Sequence, residues 1–379
     1  MNVLICTPSI RPEVGGPAVS IPRIGKELQR MGAQVDYLTA DHDLWKWWGR
    51  LGNVDLGRFD IVANFGTWTF FGHAINRKAA LHRVRLVNCP MGMLEPWAVR
   101  QKRAKKLLAW HAYQRNDLER SAALHATGRP EASNLRALGL KAPIALIPHG
   151  VDLPQIGELQ KLRQASGPSG GQRIALFLSR LHPKKGLVDL IEAWALIKPK
   201  GWRLIIAGPD SDGYAATIAD LIRRRGTTEV EMRGPAYGEE KSSLFASANL
   251  FLLPTYSENF GLVVPEALAH GVPVITTTGA PWAELPDAGC GWWIEPGIES
   301  LTEALREALC LSSEDLRQMG EKGRQLVGER YSWNVVVKQH VQLYRWAAFD
   351  EAIPDFVEWG GRADARSGTA RAAGAEKQQ

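Results

Sequence analysis

Short apolar runs alternate with helix-period stretches along most of this chain, in two series separated by Ala165-Ser166-Gly167-Pro168-Ser169-Gly170-Gly171. Strands that alternate with helices pair in parallel, because each helical crossover returns the chain to the same end of the sheet. The first series occupies residues 3–6, 35–38, 61–64, 84–88, 124–127 and 144–148; the second occupies 174–178, 204–207, 230–233, 250–253 and 274–276. The pattern predicts an α/β protein of two Rossmann-like parallel-sheet domains, residues 1–165 and 172–332, with the Gly/Ser/Pro stretch as linker. A helix is expected from Trp333 to Phe349 within a closing segment 333–361, and 362–379, rich in Ala, Gly and charge without periodicity, reads as a disordered tail. Two such halves imply a cleft, with ligands beyond the carboxyl ends of the strands.

Composition sets the class. With 379 residues, 45% hydrophobic and 23% charged, the chain suits a soluble two-domain protein. No apolar run approaches the roughly 20 residues that span a bilayer, and Met1-Asn2-Val3-Leu4-Ile5-Cys6 reads as a first strand rather than a leader peptide. Cys6, Cys89, Cys290 and Cys310 are scattered without paired spacing, which points to free thiols in a reducing cytoplasm and to neither disulfides nor a zinc site. A net charge of +6 suits phosphorylated ligands or an anionic membrane surface and is too weak to imply nucleic acid.

The densest chemistry lies in the second series. Glu258-Asn259-Phe260-Gly261-Leu262-Val263-Val264-Pro265-Glu266 places two carboxylates eight positions apart between a strand and a helix start. Carboxylates accept from sugar hydroxyls, and the free N–H groups of a helix start suit phosphate. Pro265 fits the first helical turn, where its missing N–H costs nothing. The turn after the 174–178 strand, Ser179-Arg180-Leu181-His182-Pro183-Lys184-Lys185-Gly186, brings cations to the same edge; Arg supplies a planar fork of donors and Lys a point charge for a diphosphate. Gly208, in Ala207-Gly208-Pro209, could form a further wall, and the turn Gly234-Pro235-Ala236-Tyr237-Gly238 could bring backbone to a nucleobase edge, or be an ordinary turn.

Taken in order, Arg180 and Lys185, Gly208, Gly234, the Glu258–Glu266 pair and Gly271-Val272-Pro273-Val274-Ile275 resemble the retaining GT-B glycosyltransferases of family 4, the glycosyl transferases group 1 set. The similarity extends to about Phe349 and is densest from Ile174 to Pro296. The resemblance implies that the last helix packs back on the N-terminal domain. It also implies roles: Arg180 and Lys185 neutralise the diphosphate of a nucleotide-sugar donor, Glu266 binds the ribose hydroxyls, and Glu258 lies near the transferred sugar. Backbone at Asn259, Phe260, Gly261 and Leu262 contacts sugar and phosphate, backbone at Ala236 and Tyr237 faces the base, and the loop with Gly15 and Gly16 approaches donor and acceptor. That loop lacks the dinucleotide G-x-G-x-x-G pattern, which argues against a nicotinamide cofactor. Met93-Leu94-Glu95-Pro96-Trp97 and Ala126-Thr127-Gly128-Arg129-Pro130-Glu131 resemble segments of polysaccharide- and lipopolysaccharide-building members.

The expected reaction is transfer of a sugar from a nucleoside-diphosphate-sugar to a saccharide or lipid-linked acceptor, with no cofactor and no metal, since the cations can stand in for a divalent ion. Retention comes from the resemblance; front-face attack is favoured over Glu258 as nucleophile. One departure concerns the acceptor side: relatives often carry histidine where this chain has Met91, and His73 and His125 are nearby in sequence, each also readable as structural. Arg100, Lys102, Arg103, Lys105 and Lys106, bracketed by Trp97 and Trp110, together with Leu44-Trp45-Lys46-Trp47-Trp48, read either as a surface for anionic lipid or as core tryptophans beside a solvated helix face. The expected location is the cytoplasm, with peripheral docking at the inner face of the membrane under the first of these readings. Competing functions are an inverting GT-B transferase, a UDP-sugar epimerase, and a membrane- or nucleic-acid-binding scaffold.

Overall fold

The computed structural model describes residues 1–11, 16–40, 46–166 and 171–360. Its strands are β1 (Asn2–Thr7), β2 (Gln34–Thr39), β3 (Ile61–Phe65), β4 (Arg85–Cys89), β5 (Ala123–Ala126), β6 (Ile144–Leu146), β7 (Arg173–Leu178), β8 (Trp202–Ala207), β9 (Val230–Met232), β10 (Leu250–Leu253), β11 (Val274–Thr277), β12 (Gly291–Ile294) and β13 (Val357–Glu358). They form a seven-stranded sheet in the order β13-β6-β5-β4-β3-β1-β2 and a six-stranded sheet in the order β12-β11-β10-β7-β8-β9. Every pairing is parallel except β13 against β6. Ile61–Phe65 and Leu250–Leu253 are buried at every position, as strands covered on both faces require.

β12 and β13 were not expected. Gly-Trp-Trp-Ile is short and half-buried, and β13 has only two residues, so neither carries a clear apolar signature.

Two compact units result, one of Met1–Pro148 with the chain from Val337 onward, the other His149–Val336. The linker had placed residues up to 165 in the first domain. Helix Ile156–Ser166 belongs instead to the second unit, where an Arg163 Nη donates to the His270 carbonyl at 2.9 Å. At the other end, the division at 336/337 falls inside helix Trp333–Phe349 rather than at 332/333. From Val337 that helix packs in the first unit, with the His340 ring edge-on to His125 at 5.1 Å. The expected tail, 362–379, lies outside the described residues.

Each sheet reverses its strand order once. The chain runs outward through β7, β8 and β9, then restarts on the other side of β7 with β10, β11 and β12; in the first sheet the corresponding point lies between β1 and β3. Loops leaving the two strands at such a point diverge and leave a crevice at their carboxyl ends. In the second sheet, the β7 and β10 loops carry the basic turn and the acidic loop.

Gly208 shows how tightly the strand ends are packed there. Its φ is +146°, its N–H donates to the Gly234 carbonyl at 3.1 Å, and an added Cβ would fall 1.8 Å from the Ser179 carbonyl oxygen. The backbone must therefore move to admit any side chain. Gly208→Ala is expected to cost about 1–3 kcal/mol of stability in urea denaturation; wild-type stability in this variant contradicts the packing described.

Candidate functional site

The β7 and β10 loops are stitched together by their backbones. Arg180 follows β7 by two residues and is exposed, and it forms no ion pair among the described residues. The chain then makes a 3-10 turn, Pro183–Lys185, capped by His182 Nδ1 accepting from the Lys184 N–H at 3.2 Å. The Lys184 carbonyl accepts from the Tyr256 N–H at 2.8 Å and from the Thr255 hydroxyl at 3.1 Å. These bonds fix the height of the basic turn against the acidic loop.

Within that frame Lys185 Nζ is bonded to Glu258 Oε1, with side-chain exposures of only 6% and 12%. Burial lowers the lysine pKa, and the carboxylate opposes that shift. The Glu258 backbone is held in turn by its N–H donating to the Gly279 carbonyl at 2.7 Å. The two residues expected to flank a sugar diphosphate thus hold each other in a dry site.

The loop beyond Glu258 presents backbone. Gly261 sits at φ +77°, in the left-handed region, and the buried Trp282 Nε1 donates to the Phe260 carbonyl at 2.7 Å, orienting that peptide. The N–H groups of Gly261, Leu262 and Val263 have no acceptor among the described residues. They open the short helix Val263–Ala269, on which Glu266 lies.

Glu266 Oε1 accepts from Lys241 Nζ at 2.6 Å, while its Oε2 is buried with no donor among the described residues. Burial raises its pKa and Lys241 opposes the rise. A buried carboxylate oxygen without a donor is costly unless a ligand supplies one. Lys241, from helix Gly238–Ser247, was not anticipated: a lysine in a helix of ordinary composition carries no local signal, and only the fold brings it beneath Glu266.

The other expected donor residues stand at the same edge. Ala236 is buried and Tyr237, exposed, precedes helix Gly238–Ser247, so both follow β9. Asn259 is half-buried, Phe260 is buried and packs its ring edge-on to His149 at 5.3 Å, and Leu262 is half-buried. The second unit therefore gathers Arg180, Lys185, Gly208, Ala236, Tyr237, the 258–262 loop and Glu266 at the carboxyl ends of four adjacent strands. Gly16, in the other unit, is the first residue of helix Gly16–Arg30, and Gly15 lies outside the described residues. A cavity of about 470 Å³, lined by Arg163, Arg173 and Arg317 among others, lies at the amino ends of β7 and β10 and contains none of these residues. Among the described residues no group of three or more His, Cys, Asp or Glu is placed to hold a metal ion.

In the first unit the expected acceptor side changes. Trp47, readable from sequence as lipid-facing or as core, is buried and packs edge-on to Phe71 at 5.4 Å, so the core reading holds for it. Leu44 and Trp45 of that segment lie outside the described residues. Met91 takes φ +55° in a turn where the Gly92 N–H donates to Glu131 Oε1 at 2.6 Å. His125 is structural: it is buried, its Nε2 lies 2.8 Å from the Ile147 carbonyl, and burial lowers its pKa. His73 Nδ1 lies 2.8 Å from the buried Asp117 carboxylate, whose pKa burial raises. Trp110 is half-buried, whereas Trp97, Leu107 and Leu108 are exposed beside the basic run. No helix of the described residues is long and apolar enough to cross a membrane.

Two family models match the chain: Glycosyl transferases group 1 over residues 159–326, and Glycosyltransferase Family 4 over residues 40–155. The D-inositol 3-phosphate glycosyltransferase of Segniliparus rotundus is 30% identical over 217 residues, covering 54% of this chain and 47% of the relative. The match thus spans about half the length of that protein. Among solved structures, Anabaena HepE in complex with UDP and glucose aligns with a TM-score of 0.72 at 19% identity, covering 90% of this chain and 98% of that one. WaaG, a glycosyltransferase involved in lipopolysaccharide biosynthesis, aligns with a TM-score of 0.65 at 20% identity, covering 89% and 98%. These likenesses establish the fold.

Two outcomes test the site as built. Removing one member of the buried pair, in Lys185→Met or Glu258→Leu, leaves the other charge unpaired and is expected to cost about 3–5 kcal/mol in urea denaturation, the double variant losing less than the sum. Additive losses contradict the pairing. Separately, the raised Glu266 pKa means that the folded state holds a proton the unfolded state has released above the ordinary value of 4.5. That contribution to stability is full below the ordinary value and is lost as pH rises through the folded pKa. The melting temperature of Glu266→Gln should therefore rise relative to wild type between acidic and neutral pH; a constant difference contradicts the assignment.

Proposed function

Because the chain belongs to the group 1 glycosyltransferases of the GT-B fold, we propose that it transfers a sugar from a nucleoside-diphosphate-sugar to a saccharide or glycolipid acceptor, with retention of anomeric configuration and without a metal ion. The observation that carries this reading is the vacant, buried Oε2 of Glu266, set at the same strand edge as Arg180, Lys185 and the free N–H groups of Gly261, Leu262 and Val263. An acceptor for ribose hydroxyls beside donors for phosphate is the complement of a nucleoside diphosphate. HepE, whose structure contains UDP and glucose, supports a uridine donor. WaaG supports a role in building a cell-surface polysaccharide or lipopolysaccharide.

Chemistry follows from where charge develops. As the glycosidic bond breaks, negative charge builds on the departing diphosphate, and Arg180, Lys185 and the backbone donors meet it without reorganising. Such preorganised donors are commonly worth about 3–4 kcal/mol each in the transition state. Lys185 is already partnered by Glu258, so the arriving phosphate shares the ammonium with that carboxylate. The ion pair also blunts Glu258 as a nucleophile, which favours front-face attack with the leaving phosphate oxygen taking the acceptor's proton. Glu258 then serves to hold Lys185 and to bind hydroxyls of the transferred sugar.

The acceptor's surroundings follow from exposed residues. Trp97, Leu107 and Leu108 lie beside Arg100, Lys102, Arg103 and Lys105, all exposed, and this combination supports peripheral docking on an anionic membrane. Trp47 plays no part in it.

A thermal-shift panel of UDP, GDP, ADP and dTDP tests the donor reading. One nucleotide should stabilise the protein, by about 2.7 kcal/mol at 100 times its dissociation constant, and the shift should fall in Arg180→Ala and Glu266→Gln. No response to any of the four contradicts it. With the cognate donor, turnover should persist in EDTA and give a product of unchanged anomeric configuration by NMR; loss of activity in EDTA, or inversion, overturns the corresponding part. Flotation on phosphatidylglycerol vesicles should be abolished by Leu107→Glu with Leu108→Glu, and flotation that survives the pair removes the docking surface.

A further inference from the structure

The cavity at the amino ends of β7 and β10 is set apart from the donor edge. β7 is six residues long, which puts about 20 Å between the two ends of the sheet. Arg163, Arg173 and Arg317 bring three guanidinium groups to this cavity from three separate stretches of chain, and no Asp or Glu among the described residues lines it. Arg163 and Arg173 form no ion pair among the described residues and donate instead to neutral carbonyls. An Arg163 Nη donates to His270 at 2.9 Å, and the two Arg173 Nη atoms donate to Leu311 at 2.6 Å and Leu309 at 3.2 Å. Arg317 is paired with Glu314 and Glu321, and Glu321 also favours the charged form of Arg163.

Neutral donors complete the lining. Asn249 Oδ1 accepts from the Ile174 N–H at 2.8 Å, which leaves its amide NH2 without an acceptor among the described residues. Ser313 opens the helix Ser313–Arg330, whose capping box uses the Asp315 N–H; the N–H groups of Ser313 and Glu314 have no acceptor among the described residues. Ala246, Ala248 and Leu316 are buried and add an apolar wall. Guanidinium forks and helix-start N–H groups bond the oxygens of a phosphate, and the apolar wall accommodates a short carbon body. The volume of about 470 Å³ admits a small molecule.

We propose that this cavity is a second ligand site, for a compact phosphate monoester, and that Arg163 transmits its occupancy to the donor edge. Helix Val263–Ala269 joins the two places. Its start carries the free N–H groups of Gly261, Leu262 and Val263, with Glu266 one turn in. Its end presents the Ala269 carbonyl to Arg324 at 2.5 Å and the His270 carbonyl to Arg163. His270 Nδ1 lies 2.7 Å from the Glu266 carbonyl, so the end that Arg163 caps is tied to the turn bearing Glu266. A cation at a helix C-terminus stabilises the helix. A phosphate that draws Arg163 toward the cavity weakens that cap and loosens the turn. The site stands without the transferase reading; only its consequence at Glu266 touches it.

The test titrates the full chain with inorganic phosphate, glycerol 3-phosphate, phosphoenolpyruvate and citrate by calorimetry, with glycerol as the uncharged control. At least one phosphate monoester should bind, with affinity falling about tenfold in Arg163→Gln. Ser313→Asp should weaken it as much while leaving the melting temperature at or above wild type, because a carboxylate suits a helix start and repels a bound phosphate. Arg180→Ala should leave the monoester bound as in wild type, which tells this site from the donor edge. Amide hydrogen exchange over residues 263–270 should quicken when the monoester is added to wild type and stay unchanged when it is added to Arg163→Gln. No monoester bound, binding that either Arg163→Gln or Ser313→Asp leaves intact, tighter binding of citrate, or loss of binding in Arg180→Ala overturns the site. Unchanged exchange over 263–270 with the monoester bound to wild type overturns the coupling. A nucleotide that fails to bind bears on the transferase reading alone.

Discussion

Parallel strands buried on both faces leave a chain only the ends of its sheet for polar chemistry, and that constraint organises this protein. In the second unit the four adjacent strands β10, β7, β8 and β9 send their carboxyl ends to one edge. The reversal between β7 and β10 opens that edge where the basic turn and the acidic loop emerge. The Lys184 carbonyl, accepting from Tyr256 and Thr255, then fixes one loop against the other. Lys185 and Glu258 meet because of this weld.

Two lysine–glutamate pairs result, and their surroundings give them different work. Lys185 and Glu258 are nearly dry, so neither can lose its partner cheaply. Lys241 and Glu266 are more open, with side-chain exposures of 28% and 27%, yet one Glu266 oxygen is sealed from solvent without a donor. The first pair holds positive charge at a fixed height. The second keeps a buried carboxylate oxygen without a donor at a cost to the free protein, the feature on which the proposed ribose contact rests.

Much of this was legible in the sequence, and the gaps have physical causes. Alternating apolar runs located eleven strands, most of them buried; β12 was missed as a four-residue run opened by glycine, and β13 because two residues leave no such imprint. Arg180, Lys185, Glu258 and Glu266 could be placed at one strand edge from sequence because each follows a recognisable strand. Lys241 could not, since its pairing depends on a contact 25 residues away, to Glu266. Trp47 could be read two ways in the sequence, as lipid-facing or as core, and only its packing against Phe71 decides for the core. The linker likewise suggested a boundary by its flexibility, whereas Arg163 shows which unit the preceding helix serves.

The most direct test of the account is a crystal structure of the protein with its cognate nucleoside diphosphate. The ribose hydroxyls should donate to Glu266, with one on the oxygen now lacking a donor, and the phosphates should lie against Arg180, Lys185 and the N–H groups of Gly261 and Leu262. A nucleotide bound elsewhere, or one that leaves Glu266 Oε2 without a donor, would contradict the assignment of this edge as the donor site.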